Sequence, residues 1–450
     1  MKTASVILAA GQGTRMRSSL PKVLHPLAGR PMIWHALEAA RQAVEASPVV
    51  VVGNGAAAVT GLLGENATFV HQDEQLGTGH AVQQCESRLK GHAEEILITS
   101  ADMPLLTGET LSRLVKEQHQ NDGPLTILTA TSAQSRGFGR VLRDEKDRVQ
   151  RIVEEADAGP EHIATQELNV GAYCVEAAWL WDALPRIPLS PKGEYYLTDL
   201  VGIAVADGLH VAAVELEDLI EAIGVNTRVH LAEAEAALRE RINHRWMLAG
   251  VTIVDPQNTY IDVGVVIGQD TSIWPNTMLQ GETRVGSDCT LGPNAILRDT
   301  QIGDRCRVLA SVLERAVLEN DVDVGPFGHL RKGAHLADGV HMGNYGEVKN
   351  SYLGPGVKVG HFSYLGDATI GSGTNIGAGT ITCNYDGEKK NHTDIEEGVF
   401  IGSDTMLVAP LRVGKGARTG AGSVVTKDVP PKTLVVGAPA RAVRKLEDRD

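Results

Sequence analysis

The sequence predicts two unlike halves: an α/β domain built on a mainly parallel sheet, then one long helix leading into a solenoid of very short strands. Three observations predict this. Up to about Val225, short apolar runs alternate with helical stretches, the pattern of parallel strands covered by crossover helices. From His230 to Ala249, residues Leu231, Ala234, Leu238, Ile242 and Trp246 recur at helical spacing among Glu233, Glu235, Arg239 and Arg241, which reads as one amphipathic helix. From Ile261 onward, aliphatic residues recur every sixth position. The expected domains are therefore 1–226, a linker helix within 227–250, and 251–450.

In the first half, strands are expected at 5–9, 49–52, 96–99, 125–131, 170–175 and 211–214, and helices at 31–46, 78–89, 109–120 and 194–206. Ligands of such sheets bind at the carboxyl ends of the strands. In the second half the register runs Ile261, Ile267, Ile273, Leu279, Val285, Leu291 and Leu297, and resumes after short phase shifts at Ile302 and Val308. It continues through Leu318, Val324, Leu330, Leu336, Met342, Val348, Leu353, Val359, Leu365, Ile370, Ile376, Ile395, Ile401, Leu407 and Val413. A period of six fits neither a helix nor one alternating strand. It fits a coil in which each short strand offers one inward side chain before a turn, and so many rungs argue against an ordinary sandwich. Glycine follows many of these aliphatics, as at Gly268, Gly286, Gly303, Gly360 and Gly377.

A length of 450 residues with 42% hydrophobic content supports several packed cores. The net charge of -14 argues against a nucleic-acid or anionic-membrane surface, so phosphate-bearing ligands must be held by a few local cations. The five cysteines, Cys85, Cys174, Cys289, Cys306 and Cys383, are scattered without Cys-x-x-Cys spacing, which reads as reduced cytoplasmic thiols. The apolar run after Lys2 leads straight into Gly11, Gly13 and Arg15, so it reads as a strand and not an export signal, and no run is long enough to span a bilayer.

Two places carry chemistry. The first expected strand empties into Ala10-Gly11-Gln12-Gly13-Thr14-Arg15-Met16, with Pro21-Lys22 beyond. A glycine turn at a strand end lets backbone N–H groups approach phosphates, and Arg15 and Lys22 add charge. The stretch lacks the third glycine of a dinucleotide fingerprint and the ending of a P-loop. Asp102, just past the 96–99 strand, and Asn226 offer oxygens of the kind that hold Mg2+ together with nucleotide phosphates; taken singly, each also fits a helix cap or a turn. In the second half, His361 interrupts the hexads beside Ser363 and Tyr364, and a polar insertion at 382–390 breaks the repeat. Insertions in repeat proteins become loops on one face, often the binding face. A neutral imidazole there is able to take a proton from an attacking amine, although a surface histidine without chemistry fits the same pattern.

Leu8-Ala9-Ala10-Gly11-x-Gly13-Thr14-Arg15-Met16 with Pro21-Lys22 resembles the signature of the sugar-1-phosphate nucleotidyltransferases. Over nearly the whole chain the sequence resembles the bacterial family of bifunctional N-acetylglucosamine-1-phosphate uridyltransferases and glucosamine-1-phosphate acetyltransferases. The motifs Gln72 with Gly77-Thr78-Gly79-His80, Gly137-Phe138-Gly139-Arg140, Val153-Glu154, Asn169 with Gly171, Gly193-Glu194-Tyr195-Tyr196 and Gly224-Val225-Asn226 carry it. The resemblance implies a Rossmann-like nucleotidyltransferase domain, a linker helix and a left-handed parallel β-helix of hexapeptide repeats. It further implies that Leu8, Ala9, Ala10, Gly11 and Lys22 bind UTP, that Gln72, Gly77 and Thr78 read uracil, and that Gly139, Glu154 and Asn169 hold the amino sugar. Asp102 and Asn226 are implied Mg2+ ligands, with Arg15 and Lys22 steadying the triphosphate during attack.

For the β-helix the resemblance implies His361 as general base, oriented or polarised by Glu347, with Asn384 and Tyr385 lining the reaction centre. Arg331, Lys349, Tyr364 and Asn375 match contacts to the acceptor sugar phosphate. Ala378, Ser403 and Ala421, with Arg441, match acetyl-CoA contacts. The implied co-substrates are UTP and acetyl-CoA, the acceptors glucosamine 1-phosphate and N-acetylglucosamine 1-phosphate, the assembly a homotrimer packed through its solenoids, and the location the cytoplasm. No nucleic-acid or membrane partner is expected. The sequence departs from the family at Ala101, where glycine is common, at His392, where lysine is common, at Arg418-Thr419 in place of an aliphatic rung, and at Gly437–Arg441. A nucleotidyltransferase for another sugar with a purely regulatory β-helix is the competing reading; His361, Lys349 and the 384–385 loop together argue against it.

Overall fold

The structure is a computed structural model and describes residues 2–445. The chain divides into two compact units between Leu238 and Arg239, a division that falls inside the helix Arg228–Leu248. Among the described residues no helix is long and apolar enough to cross a membrane.

The first unit is organised by a twisted sheet whose main path runs Val211–Glu215, Leu125–Thr131, Glu167–Glu176, Glu95–Ser100, Thr3–Ala9, Val49–Val52, Thr68–His71. Every adjacent pair on this path is parallel except those of Glu167–Glu176, which runs antiparallel to both neighbours. A hairpin, Arg140–Arg143 with Val149–Val153, extends from it. The central strands are near-continuous apolar runs because helices cover both faces: Ile96, Ile98, Val6 and Val51 face one buried cluster, and Ile7, Val50 and Val52 face another with Ile33 and Leu37. Ala101, which stands where the family commonly has glycine, buries its methyl in this second cluster.

Some expected helices are shorter. The stretch 31–46 forms Met32–Ala43, and 78–89 breaks into Thr78–Gln83 and Glu86–Leu89. The 194–206 helix begins only at Asp199. The physical reason lies at its start, where the backbone of Tyr195 is already bonded, its N–H to Leu76 O at 2.8 Å and its carbonyl to Gly79 N at 2.8 Å. Not foreseen were the helices Ala56–Leu63 and Ala177–Ala183, the edge strand Thr68–His71 and the hairpin.

The second unit is a three-sided parallel β-helix. Strands mostly two or three residues long stack into sheets of 12, 10 and 9 strands, so that, for example, Leu279, Leu297, Leu313 and Leu330 succeed one another on one face. The aliphatic register points inward: Ile273, Leu279, Leu291, Leu297, Leu330 and Leu365 are fully buried. Phase shifts fall at corners, where Asp299, Ala310 and Arg315 take left-handed backbone conformations. Two rungs replace the aliphatic by threonine. Thr382 and Thr419 sit at inward positions, Thr419 Oγ1 accepting from Gly402 N at 2.9 Å and Thr382 Oγ1 from Gly366 N at 2.8 Å. The Arg418-Thr419 departure therefore costs the core no unmatched hydroxyl. Cys289 and Cys306 are small inward residues whose thiols donate to the carbonyls of Gly303 (3.1 Å) and Glu319 (2.9 Å), and all five cysteines are free.

Truncating one inward rung residue tests this architecture. Leu291→Ala should lower the unfolding free energy of the β-helix by about 2–5 kcal/mol, read as a shifted denaturant midpoint with an unchanged slope.

Candidate functional site

In the first unit, strand Thr3–Ala9 pairs in parallel with Glu95–Ser100, with Leu8 opposite Ser100. The glycine turn and Asp102 therefore leave adjacent strands at the same carboxyl edge. They open onto a cleft of about 670 Å³. Leu8, Ala9, Ala10 and Gly11 form one wall with Arg15 and Lys22, and Gln72, Gly77 and Thr78 another, while Asp102, Glu154 and Asn226 complete the lining. Gly13 has φ 62°, and a Cβ there would stand 2.6 Å from that of Lys22, so only glycine lets the lysine loop close over the turn. At Gly77 (φ 99°) a Cβ would stand 2.6 Å from the Tyr195 carbonyl oxygen; the Gly193–Tyr196 motif is thus a backbone strap against the uracil-expected turn. Gln72 is buried and donates through Nε2 to Gly77 O at 3.0 Å.

The electrostatic centre of the cleft is a four-residue cluster. Lys22 Nζ lies 2.6 Å from Asp102 Oδ2 and donates to Asn226 Oδ1 at 3.0 Å. Arg15 Nη2 donates to the same Asn226 oxygen at 2.9 Å. Burial alone would push the Asp102 carboxyl up, but the Lys22 ammonium and the hydroxyl of Ser100 hold it below the usual carboxylate range. The residues also fit a divalent cation: a carboxylate and an amide oxygen, both hard donors, already converge on one positive charge. Glu154 behaves oppositely. Burial raises its carboxyl, although Thr198 donates to it at 2.8 Å.

Not every expected residue reaches the cleft. Gly139 and Asn169 are not among the residues lining this cleft; Asn169 N bonds to Gly139 O at 2.9 Å, and the Asn169 amide donates to Tyr173 Oη at 2.7 Å. Gln12, Gln75, Glu194 and Tyr196 also line it; Gln12 lies in the glycine turn and Glu194 and Tyr196 in the Gly-Glu-Tyr-Tyr motif, whereas Gln75 carried no signal in the sequence.

In the second unit, parallel pairing collects residues far apart in sequence. Backbone bonds link Gly379 N to Phe362 O, Asp404 N to Ala378 O and Gly422 N to Ser403 O. His361, Ala378, Ser403 and Ala421 therefore follow one another down a single corner of the prism, one per rung. His361 is exposed there. On the adjoining sheet, Glu347 stands directly beside Tyr364, but its carboxylate is paired with Arg331 at 2.9 Å, not with His361. Asn375 lies on a different sheet, opposite Lys358 and Phe400.

The insertion folds as a self-closed loop. Tyr385 bridges to Lys390, and three donors on Glu388, Lys389 and Asn391 converge on Asp386, holding its carboxyl down to about 2. Asn384 is buried and donates to Asp367 Oδ2 at 2.5 Å and, more weakly, to Tyr364 Oη at 3.4 Å. Lys390, to which no role was given from sequence, faces Lys349, and this like charge lowers the proton affinity of Lys349. Lys349 also joins Arg298, Arg315, Arg331 and Lys332, with Glu314, around a cavity of about 260 Å³; Arg298 pairs there with Glu314 and Arg331 with Glu347. His392 contacts Thr369 Oγ1 at 3.0 Å and Asp394 at 3.2 Å on the third sheet. Arg441 is exposed on the last strand, Ala440–Lys445.

Known proteins resemble each half and the whole. The MobA-like NTP transferase domain matches residues 5–186, and the bacterial transferase hexapeptide (six repeats) matches residues 264–299. The Bifunctional protein GlmU of Trichlorobacter lovleyi is 49% identical over 438 residues, covering 96% of this chain and 95% of that protein. Its counterpart in Heliobacterium modesticaldum is 47% identical, covering 97% and 95%, and that in a Geobacillus species 44%, covering 99% and 97%.

The Lys22–Asp102 pair makes a prediction for the metal-free protein. Because the folded carboxyl titrates below its ordinary value of 3.8, the pair's stabilisation is complete above that value and is lost as pH falls through the folded one. Lys22→Met should therefore lower stability at neutral pH by at most about 3–5 kcal/mol, and the gap to the parent should narrow as pH falls below the ordinary carboxylate value in thermal unfolding.

Proposed function

The chain belongs to the family of the bifunctional GlmU proteins, and from that premise we propose that its two units catalyse successive steps toward UDP-N-acetylglucosamine. The β-helix acetylates glucosamine 1-phosphate with acetyl-CoA; the α/β unit, here assigned to residues 1–226, then joins the product to the uridylyl group of UTP. The observation that carries the reading is the sharing of the Asn226 side-chain oxygen by Arg15 and Lys22, with Lys22 paired to Asp102 as well, beside the glycine turn. Phosphoryl-type transfer asks mainly for positioning and charge neutralisation.

In the α/β unit, Gln72, Gly77 and Thr78 orient the base, and Glu154 and the Gly139–Asn169 region shape the sugar end. A phosphate oxygen of N-acetylglucosamine 1-phosphate attacks the α-phosphorus of UTP, the bond to the β-phosphate oxygen breaks, and pyrophosphate leaves. Arg15 and Lys22 balance the charge on the triphosphate and the departing pyrophosphate. Asp102 and Asn226 would hold Mg2+, which would supply further neutralisation of phosphate charge.

In the β-helix, His361 removes a proton from the ammonium-derived amine as it attacks the thioester carbonyl, and coenzyme A departs as thiol. The corner formed by Ala378, Ser403 and Ala421 supports an extended path for the pantetheine arm, with Arg441 toward its phosphates. Arg331 and Lys349 take the sugar phosphate. Glu347 pairs with Arg331 and not with His361, and Asn375 lies on another sheet from Tyr364 and Lys349. Both facts favour a site completed by neighbouring chains, a cytoplasmic homotrimer packed through its solenoids. A regulatory β-helix has no use for this corner.

Assays that omit glucosamine 1-phosphate, acetyl-CoA, UTP or Mg2+ in turn test the reading. His361→Ala should abolish acetyl transfer and keep pyrophosphate release from UTP and N-acetylglucosamine 1-phosphate, and Asp102→Ala should do the reverse. Loss of both activities in either folded variant would break the two-site assignment.

A further inference from the structure

We infer that Arg228 is the positioning residue that locks the two cationic loops of the uridylyl cleft to the segment bearing Asn226. The loops need such a brace. Arg15 and Lys22 sit on 3-10 turns of only three residues each, Thr14–Met16 and Lys22–Leu24. The first turn is flanked by left-handed conformations at Gly13 (φ 62°) and Arg17 (φ 47°), and no long helix or strand fixes either cation.

Arg228 is the first residue of the helix Arg228–Leu248, two positions beyond Asn226. Its guanidinium reaches back to both turns. Nε donates to the carbonyl of Met16, the neighbour of Arg15, at 3.3 Å, and Nη1 donates to His25 Nδ1 at 3.3 Å. His25 in turn closes the Lys22 turn, its N–H bonding to Lys22 O at 3.3 Å, while its carbonyl accepts from Met32 N at 2.9 Å at the start of helix Met32–Ala43. Met16 and His25 are almost wholly buried, so both acceptors are held by packing and the guanidinium joins fixed points. Because Arg228 is a donor, His25 Nδ1 must be the lone-pair nitrogen. Burial and the facing guanidinium both favour that neutral ring.

The consequence concerns geometry. Arg15 and Lys22 share one acceptor, Asn226 Oδ1, so their separation and the place of Asn226 are one quantity. Arg228 fixes it from outside the cleft through three chain segments. A planar fork with several donors in fixed directions performs this joining; an ammonium, a single point charge, does not.

This inference rests on the uridylyl-transfer reading, so the parent enzyme is assayed beside each variant. A parent that releases no pyrophosphate from UTP, N-acetylglucosamine 1-phosphate and Mg2+ defeats that reading, whereas an active parent isolates the brace. Arg228→Ala should lower kcat roughly 10- to 100-fold, with KM for UTP within about threefold of the parent and acetyl transfer unchanged. Arg228→Lys should remain slow, and added guanidinium ion should restore part of the Arg228→Ala rate. Combining Arg228→Ala with His25→Ala should cost little beyond either alone. An unchanged kcat overturns the inference. A large rise in KM with kcat intact overturns it too, making Arg228 a direct phosphate contact. Should Arg228→Ala fail to fold, Arg228→Lys carries the comparison: parent-like turnover by the lysine variant is the overturning result.

Discussion

Parallel strand pairing is the constraint from which both chemical centres follow. Neighbouring parallel strands run the same way, so residues that leave their ends leave at the same edge, whatever their distance in sequence. In the α/β unit this places the glycine turn after Ala9 beside Asp102, because Leu8 is in register with Ser100. In the β-helix the same rule, applied rung after rung, stacks His361, Ala378, Ser403 and Ala421 down one corner. Hydrophobic burial supports the arrangement by fixing which side chain of each short strand points inward, and a one-residue slip would turn outward residues such as Lys358 and Arg418 into the core.

Electrostatics then differentiate the two centres on a chain whose net charge is -14. The nucleotide cleft gathers two cations around an aspartate and an asparagine, so positive charge is pre-positioned but internally satisfied until a phosphate or metal competes for it. On the β-helix Lys349 instead faces Lys390, while Arg298, Arg315 and Arg331 with Glu314 lie around the cavity that Lys349 also lines. Facing like charges lower the proton affinity of Lys349.

Much of this was legible in the sequence because periodicity reports local geometry. The six-residue register marked the inward face of nearly every rung, and the apolar runs marked the central strands, since a strand buried on both faces has no polar alternation to obscure it. Elements whose conformation is decided by distant backbone partners were not legible: the late start of the helix Asp199–Ala206 depends on Tyr195 bonding to Leu76 and Gly79. The short edge strand Thr68–His71 and the helix Ala56–Leu63, with Gly61 inside it, carry too little pattern to announce themselves. Thr382 and Thr419 read as interruptions in the register, yet their hydroxyls are satisfied by neighbouring rungs.

The sequence by itself determined the fold of each half and the chemical character of the site residues, because hydrophobic period, glycine turns and residue type are properties of short stretches. Only the tertiary structure decided which side chains meet. It gave the Asn226 oxygen to both Arg15 and Lys22 and took Glu347 away from His361 by pairing it with Arg331. It also turned the Ala101 methyl into the core and bonded Asn169 to Gly139 and Tyr173. These outcomes depend on distances of a few ångströms between segments that sequence order leaves independent, and packing and hydrogen bonding fix those distances only when the chain has closed on itself.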